Sequence, residues 1–142
     1  MVFFLALFGT FCWGLAPIFG KLGLQNVNPV TALAARTLLA SLVITLWLVQ
    51  VQGFDRIATI APRSMLFIAI EAVLATLVGD LAYFAALKLG NINDVTIIMS
   101  TSPMITVVLS NVVLGEPMHR YQLGGVLAIV VGLILIGIQP RF

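Results

Sequence analysis

Charge is what this sequence lacks most. Of its 142 residues only 8% are Asp, Glu, Lys or Arg, while 61% are hydrophobic. Soluble domains carry about 25% charged residues. Twelve charged side chains cannot clothe a water-facing surface of this size, so a soluble globular protein is excluded. Cysteine is scarce too. Cys12 stands alone, which rules out an intrachain disulfide. His119 is the single histidine, and no cluster of ligand residues surrounds it, so neither a metal site nor a metal-dependent enzyme is expected. No nucleophile–base pair or phosphate loop is present, no cofactor is expected, and the chain reads as a non-enzyme. No run of basic residues suggests nucleic acid as a partner. The first apolar stretch lacks the basic leader of a signal peptide.

Long apolar runs are what is there instead. A helix needs about 20 apolar residues to cross the hydrocarbon core. Five stretches meet that need: 3–20, 29–51, 65–87, 92–114 and 121–138. Inside lipid every backbone N–H and C=O must find a partner within the chain, so such runs become helices. The expected fold is an all-α membrane protein, a bundle of five transmembrane helices forming one domain over 1–142, with the bilayer as its solvent.

Local chemistry marks the boundaries. Asn28-Pro29 supplies a cap and a first-turn proline for the second span. Ser64 is placed to cap the third. Gly90 is placed to end it, and Asn91 or Asn93 to cap the fourth. Gly115-Glu116-Pro117 separates the fourth and fifth spans. The longest loop, 52–64, is the candidate for a short interfacial segment. Five spans put the two ends of the chain on opposite sides. Arg56, Arg63 and Arg120 then face Lys21, Lys88 and Arg141 across the membrane, so the positive-inside rule selects no orientation.

Three charged residues fall deeper than the first turn of the spans: Arg36, Glu71 and Asp80. Ionisable groups at membrane depth are costly and mark functional sites by default, the plainer alternatives being a structural ion pair or a side chain that reaches to the interface. Arg36 lies seven residues inside the second span and Asp80 seven residues before the end of the third. Both therefore sit about 10 Å below the same surface on antiparallel helices. Trp13, seven residues from the end of the first span, joins that layer. Ala32 and Ala40 leave room around Arg36, while Tyr83 and Phe84 share a face with Asp80. A carboxylate in a low dielectric resists ionisation unless a cation partners it. Two regimes follow: a permanent Arg36–Asp80 pair is structural, whereas a pair that opens during transport would let Asp80 take a proton.

Pro17 and Pro103 each remove a helical hydrogen bond. The first and fourth spans are therefore expected to be interrupted. Ser100, Thr101, Ser102 and Thr106 crowd Pro103, which suits either a cavity lining or a packing kink whose carbonyls are met by hydroxyls. In the fifth span Gly124, Ala128 and Gly132 recur every four residues, with Gly125 beside them. Small residues at that spacing allow close helix packing in lipid, within one protomer or between two.

Several segments in order resemble one EamA-like repeat of the drug/metabolite transporter superfamily over nearly the whole chain. They are Trp13-Gly14 and Lys21; Pro29 and Arg36 in NPVTALAARTLLA; the run YFAALKLGNINDVTIIMSTSPMITVVLSNVVLGEP, with Ala86-Leu87, Pro103 and Leu114-Gly115-Glu116; and LGGVLAIVVGLILIG, with Gly125 and Gly132. Most members of that superfamily carry two repeats in ten helices. This chain looks like the five-helix bacterial and archaeal members, with half of an inverted-repeat transporter fold. The resemblance implies a secondary transporter in the cell membrane for small-molecule metabolites or drugs, often an exporter. It would act as a dimer: a homodimer, antiparallel given the balanced charges, or a unit paired with another half-transporter. A non-transporting subunit is the alternative. Asp80 falls where the family often has an aromatic or neutral residue, which marks it as a specificity feature of this chain. The match to small multidrug resistance proteins is weaker, because the first span here carries no acid.

Overall fold

The computed structural model describes residues 1–137, the last two by their backbone alone. Ile138, the expected end of the fifth span, and Arg141 lie outside the described residues. Every regular element among those described is helical. The chain divides into two compact units, Met1–Leu89 and the remainder from Gly90 onward.

The first unit opens with α1 (Val2–Gly23) and α2 (Pro29–Gln50), each 22 residues long. A short helix, α3 (Phe54–Ala58), occupies the long loop. The third span then runs from Pro62 to Leu89 as one rod of three parts: α4 (Pro62–Ala72), a π-helical segment (Val73–Gly79) and α5 (Asp80–Leu89). In the second unit the fourth span consists of α6 (Ile92–Met99), α7 (Ser102–Leu109) and a π-helical end (Ser110–Leu114). The last helix, α8, covers Arg120–Gly137. Four of these rods are long and apolar enough to cross a bilayer: Val2–Gly23, Pro29–Gln50, Pro62–Leu89 and Ile92–Leu114. The last is apolar but shorter over its described part. The chain is an all-α membrane bundle.

The caps explain several boundaries. Val30 N donates to Asn28 Oδ1 at 2.8 Å, and Pro29 takes the first helical position, where its missing N–H costs nothing. Asn93 N donates to Asn91 Oδ1 at 2.9 Å, so Asn91 is the cap of α6. Gly115 ends the fourth span with a left-handed φ of 68°, which suits a residue without Cβ. Ser64 does not cap the third span. That helix starts at Pro62 after Ala61, without a side-chain cap, because proline can itself open a helix.

Pro17 does not interrupt the first span, contrary to the sequence expectation. α1 is continuous from Val2 to Gly23, with Pro17 its one buried residue. The ring fixes φ near its helical value, so the loss of one hydrogen bond need not end a helix whose other bonds persist in lipid. The fourth span is interrupted, at Ser100-Thr101. Pro103 lies in the first turn of α7, where it is tolerated, so the break falls just before it.

The packing is inverted relative to a water-soluble protein. Among the described residues the buried apolar side chains are Pro17, Leu24, Leu33, Phe84, Leu87 and Val95, while Trp47 is 68% exposed and Phe8 likewise. In water such apolar surface would drive aggregation. In lipid it carries no such penalty, and helices associate through close packing and polar contacts instead.

Those contacts gather at one end of the first unit. Gly20 lets α1 approach α5 closely: a Cβ there would lie 3.5 Å from Leu87 Cδ1 and 4.0 Å from Phe84 Cε1. One residue on, the Lys21 ammonium donates to the carbonyl of Leu87. Lys88 Nζ donates to the Val27 carbonyl at 2.6 Å, tying the end of α5 to the turn before α2. Cations near helix C-termini satisfy carbonyls the helix leaves over. These ties hold α1, α2 and α5 together and set the level at which Arg36 meets Asp80.

Candidate functional site

Arg36 and Asp80 form an ion pair between α2 and α5, through Nη2 and Oδ2. The Arg36 side chain is 45% exposed and that of Asp80 27%. The guanidinium carbon stands 5.2 Å from the centroid of the Phe84 ring, in cation–π range. Tyr83 follows, its ring 6.0 Å from that of Phe84 and tilted by 41°, within electrostatic reach of both charges. One turn of α5 thus supplies the anion and the ring on which the cation rests. The spacing of Asp80 and Phe84, four residues, makes that possible.

The same two rods enclose a groove of about 430 Å³ between α2 and the third span, lined by Thr37 and Leu81, the chain neighbours of Arg36 and Asp80, and not by the pair itself. Val30, Leu33, Ala34 and Thr37 form one wall, and Ala72, Val73, Thr76, Leu77 and Leu81 the other. It is apolar except for two threonines, which face it from opposite walls. The second wall is largely the π-helical segment, which ends at the residue before Asp80. π segments inside α-helices are rare and frequent at functional sites. Gly79 closes this one, and a Cβ there would come within 3.0 Å of the Leu74 carbonyl. Small ligand sites are typically concave, mainly apolar and carry a few placed polar groups, which describes this groove.

The structure treats the other sequence candidates differently. Trp13 is 81% exposed and has no ring contact with the pair, so α1 presents it outward instead of completing the layer. Glu71, on α4, is exposed and forms no salt bridge among the described residues. Ser100 and Pro103 belong to the second unit and are exposed. Around the break the hydroxyls turn back onto their own helix: Ser100 Oγ donates to the Ile97 carbonyl at 2.6 Å and Thr101 Oγ1 to that of Ile98 at 2.7 Å. Thr106 Oγ1 reaches the Ser102 carbonyl at 3.2 Å. These bonds favour a satisfied kink at that place.

Gly124 and Gly132 face open space. A Cβ at Gly124, Gly125 or Gly132 would meet nothing within 4 Å. Ala128 is exposed on the same helix. The glycine that meets a neighbouring helix is Gly20 instead, at ordinary van der Waals distance from Leu87. Gly132→Leu is therefore expected to leave the thermal unfolding of a detergent-solubilised protomer unchanged. If the stripe meets a second protein in the bilayer, the same substitution lowers the associated fraction measured by single-molecule photobleaching in vesicles.

Sequence reasoning missed the π segment, the groove and the Gly20 contact. A helix of 28 residues with Thr76 and Gly79 near its centre was the available signal for the first. The groove gave none, because Thr37 and Thr76 look like ordinary tolerated hydroxyls in lipid.

A family model described as the EamA-like transporter family matches residues 1–138. An "Uncharacterized transporter" of Archaeoglobus fulgidus is 29% identical over 132 residues, which make up 93% of this chain but only 46% of that protein. An "Uncharacterized transporter in cobO 3'region" of a Sinorhizobium species is 30% identical over 135 residues, 95% of each chain. The chain thus spans about half the length of the first relative and nearly all of the second. No solved structure matches closely.

Proposed function

The chain belongs to the EamA-like transporter family, and on that premise we propose that it works as a secondary transporter for small metabolites or drugs, exporting them across a bacterial or archaeal cell membrane. The observation that carries this reading is the groove between α2 and the π-helical wall, whose lining includes Thr37 and Leu81, the chain neighbours of the paired Arg36 and Asp80. An apolar substrate body would lie along Leu33, Leu77 and Leu81, within reach of the hydroxyls of Thr37 and Thr76. Its polar end would meet Arg36 and Asp80. Opening of the ion pair would then link substrate movement to a charge change at membrane depth.

Five helices correspond to half of the inverted pair from which many transporters are built. A working transporter would therefore contain two such units, related by alternating access. The balance of basic residues supports two copies inserted in opposite orientations. The relative twice as long as the matched stretch supports a second reading, in which this chain pairs with a different half-repeat and does not transport by itself.

Purified protein in liposomes, loaded with a metabolite panel and tested with and without a pH gradient, checks the proposal. Substrate movement by this chain alone is the expected result. Movement only after a second half-repeat protein is added would favour the second reading.

A further inference from the structure

Glu71 is the acid in the first unit's spans that the Arg36–Asp80 pair leaves over. It lies nine residues after Pro62, and Asp80 nine residues before Leu89, so the two acids are symmetric about the centre of the third span. Each stands about 7 Å from that centre, on opposite sides. The π-helical segment between them changes their bearing as well. In an unbroken α-helix nine residues turn through a remainder of about half a turn, placing the acids on opposite faces. A π bulge absorbs one residue of that rotation and leaves them only about 80° apart.

We infer that Glu71 pairs with Arg36 of a second, oppositely oriented copy of this chain. The inference rests on the dimeric reading above and names the contact within it. Inversion about the membrane centre carries Glu71 of one copy to the level of Asp80 of the other, and so to the level of the arginine that Asp80 holds. Arg36 has donors to spare for a second carboxylate. Its Nη2 serves Asp80, its side chain is 45% exposed, and a guanidinium offers five N–H groups. Glu71 is exposed, so it is accessible to another protein without rearrangement of its own protomer. A carboxylate facing hydrocarbon alone is costly, and a guanidinium at its own depth relieves that cost. Each inverted pair contains the contact twice, and each arginine then sits between two acids, one from either copy.

The test uses the whole chain in lipid vesicles. Glu71→Gln removes the charge and keeps the shape, and since Glu71 forms no ion pair among the described residues of its protomer, the folded yield should hold. The dimer dissociation constant, read by single-molecule photobleaching at graded protein-to-lipid ratios, should rise about ten-fold or more, in line with two charge-assisted contacts. In a Cys12→Ser background, copies carrying Glu71→Cys mixed with copies carrying Arg36→Cys should form disulfide-linked pairs on mild oxidation. Copies carrying Glu71→Cys alone should not, because inversion sets their position 71 residues about 14 Å apart in depth. An unchanged dissociation constant for Glu71→Gln, or efficient linkage of position 71 to itself as in a parallel pair, would overturn the contact. Lost transport in Asp80→Asn beside undisturbed dimerisation in Glu71→Gln would reject the contact and leave the transport reading standing. Weakened dimerisation in Glu71→Gln beside unchanged transport in Asp80→Asn would support the contact and count against the groove as the transport route.

Discussion

Asp80→Asn is expected to lower transport at least ten-fold while the protein still inserts and folds. Asparagine keeps the size of the side chain but cannot neutralise Arg36, whose guanidinium stays over the Phe84 ring with no anion beside it. Losing a charge-assisted hydrogen bond costs about 1.5–3 kcal/mol, a sizeable share of a typical folding free energy, though short of all of it. Two measurements separate the roles of the pair. Folded yield, read by size-exclusion chromatography in detergent, reports its structural share. Transport at several external pH values reports coupling. If Asp80 carries the proton, the variant loses both rate and its response to a pH gradient. If the pair is only a tie between α2 and α5, yield falls and is restored by the double variant Arg36→Gln/Asp80→Asn, with transport restored alongside. Transport equal to wild type at every pH would remove Asp80 from the mechanism.

Gly20→Leu should be the most damaging single change on α1. Alanine fits there, since its Cβ would sit 3.5 Å from Leu87 Cδ1, an ordinary contact. The rest of a leucine side chain has no such room and must displace α1 from α5. Overpacking of this kind costs about 1–3 kcal/mol. The displacement also pulls Lys21 from the Leu87 carbonyl and disturbs Phe84, the ring beneath Arg36. Lower thermal stability in detergent and reduced transport are expected together for Gly20→Leu, with Gly20→Ala near wild type. Gly14→Leu is the matched control, because a Cβ at Gly14 meets nothing within 4 Å. Equal stability of the two leucine variants would show that the α1–α5 contact contributes little.

Particular residues show how far the sequence could be read. Arg36 and Asp80 were legible as partners, because the span limits set their depth and helices of about 1.5 Å rise convert residue count into distance. Their pairing needed no knowledge of long-range packing beyond two antiparallel neighbours. Trp13 passed the same depth test and failed in the structure, since depth does not specify the direction in which a helix faces. Gly132 and Gly20 make the converse point. A regular stripe of small residues in the fifth span advertises close packing, yet among the described residues the glycine in contact with a neighbouring helix is Gly20 of the first span.

The sequence by itself determined that the chain lives in a membrane, that it does so as helices, which side chains cap several of them, and which family it resembles. Each of these follows from local properties: apolar length against bilayer thickness, the backbone's need for internal hydrogen bonds, capping side chains, and motif order. Only the tertiary structure decided that α1 turns Trp13 outward and seats Gly20 on α5, that the third span contains a π segment, and that a groove opens between α2 and that segment. Those depend on helix rotation and on which side chains interdigitate. In lipid, the apolar pattern that reveals a buried face in a soluble protein is spread around the whole helix, so rotation leaves no mark in the sequence.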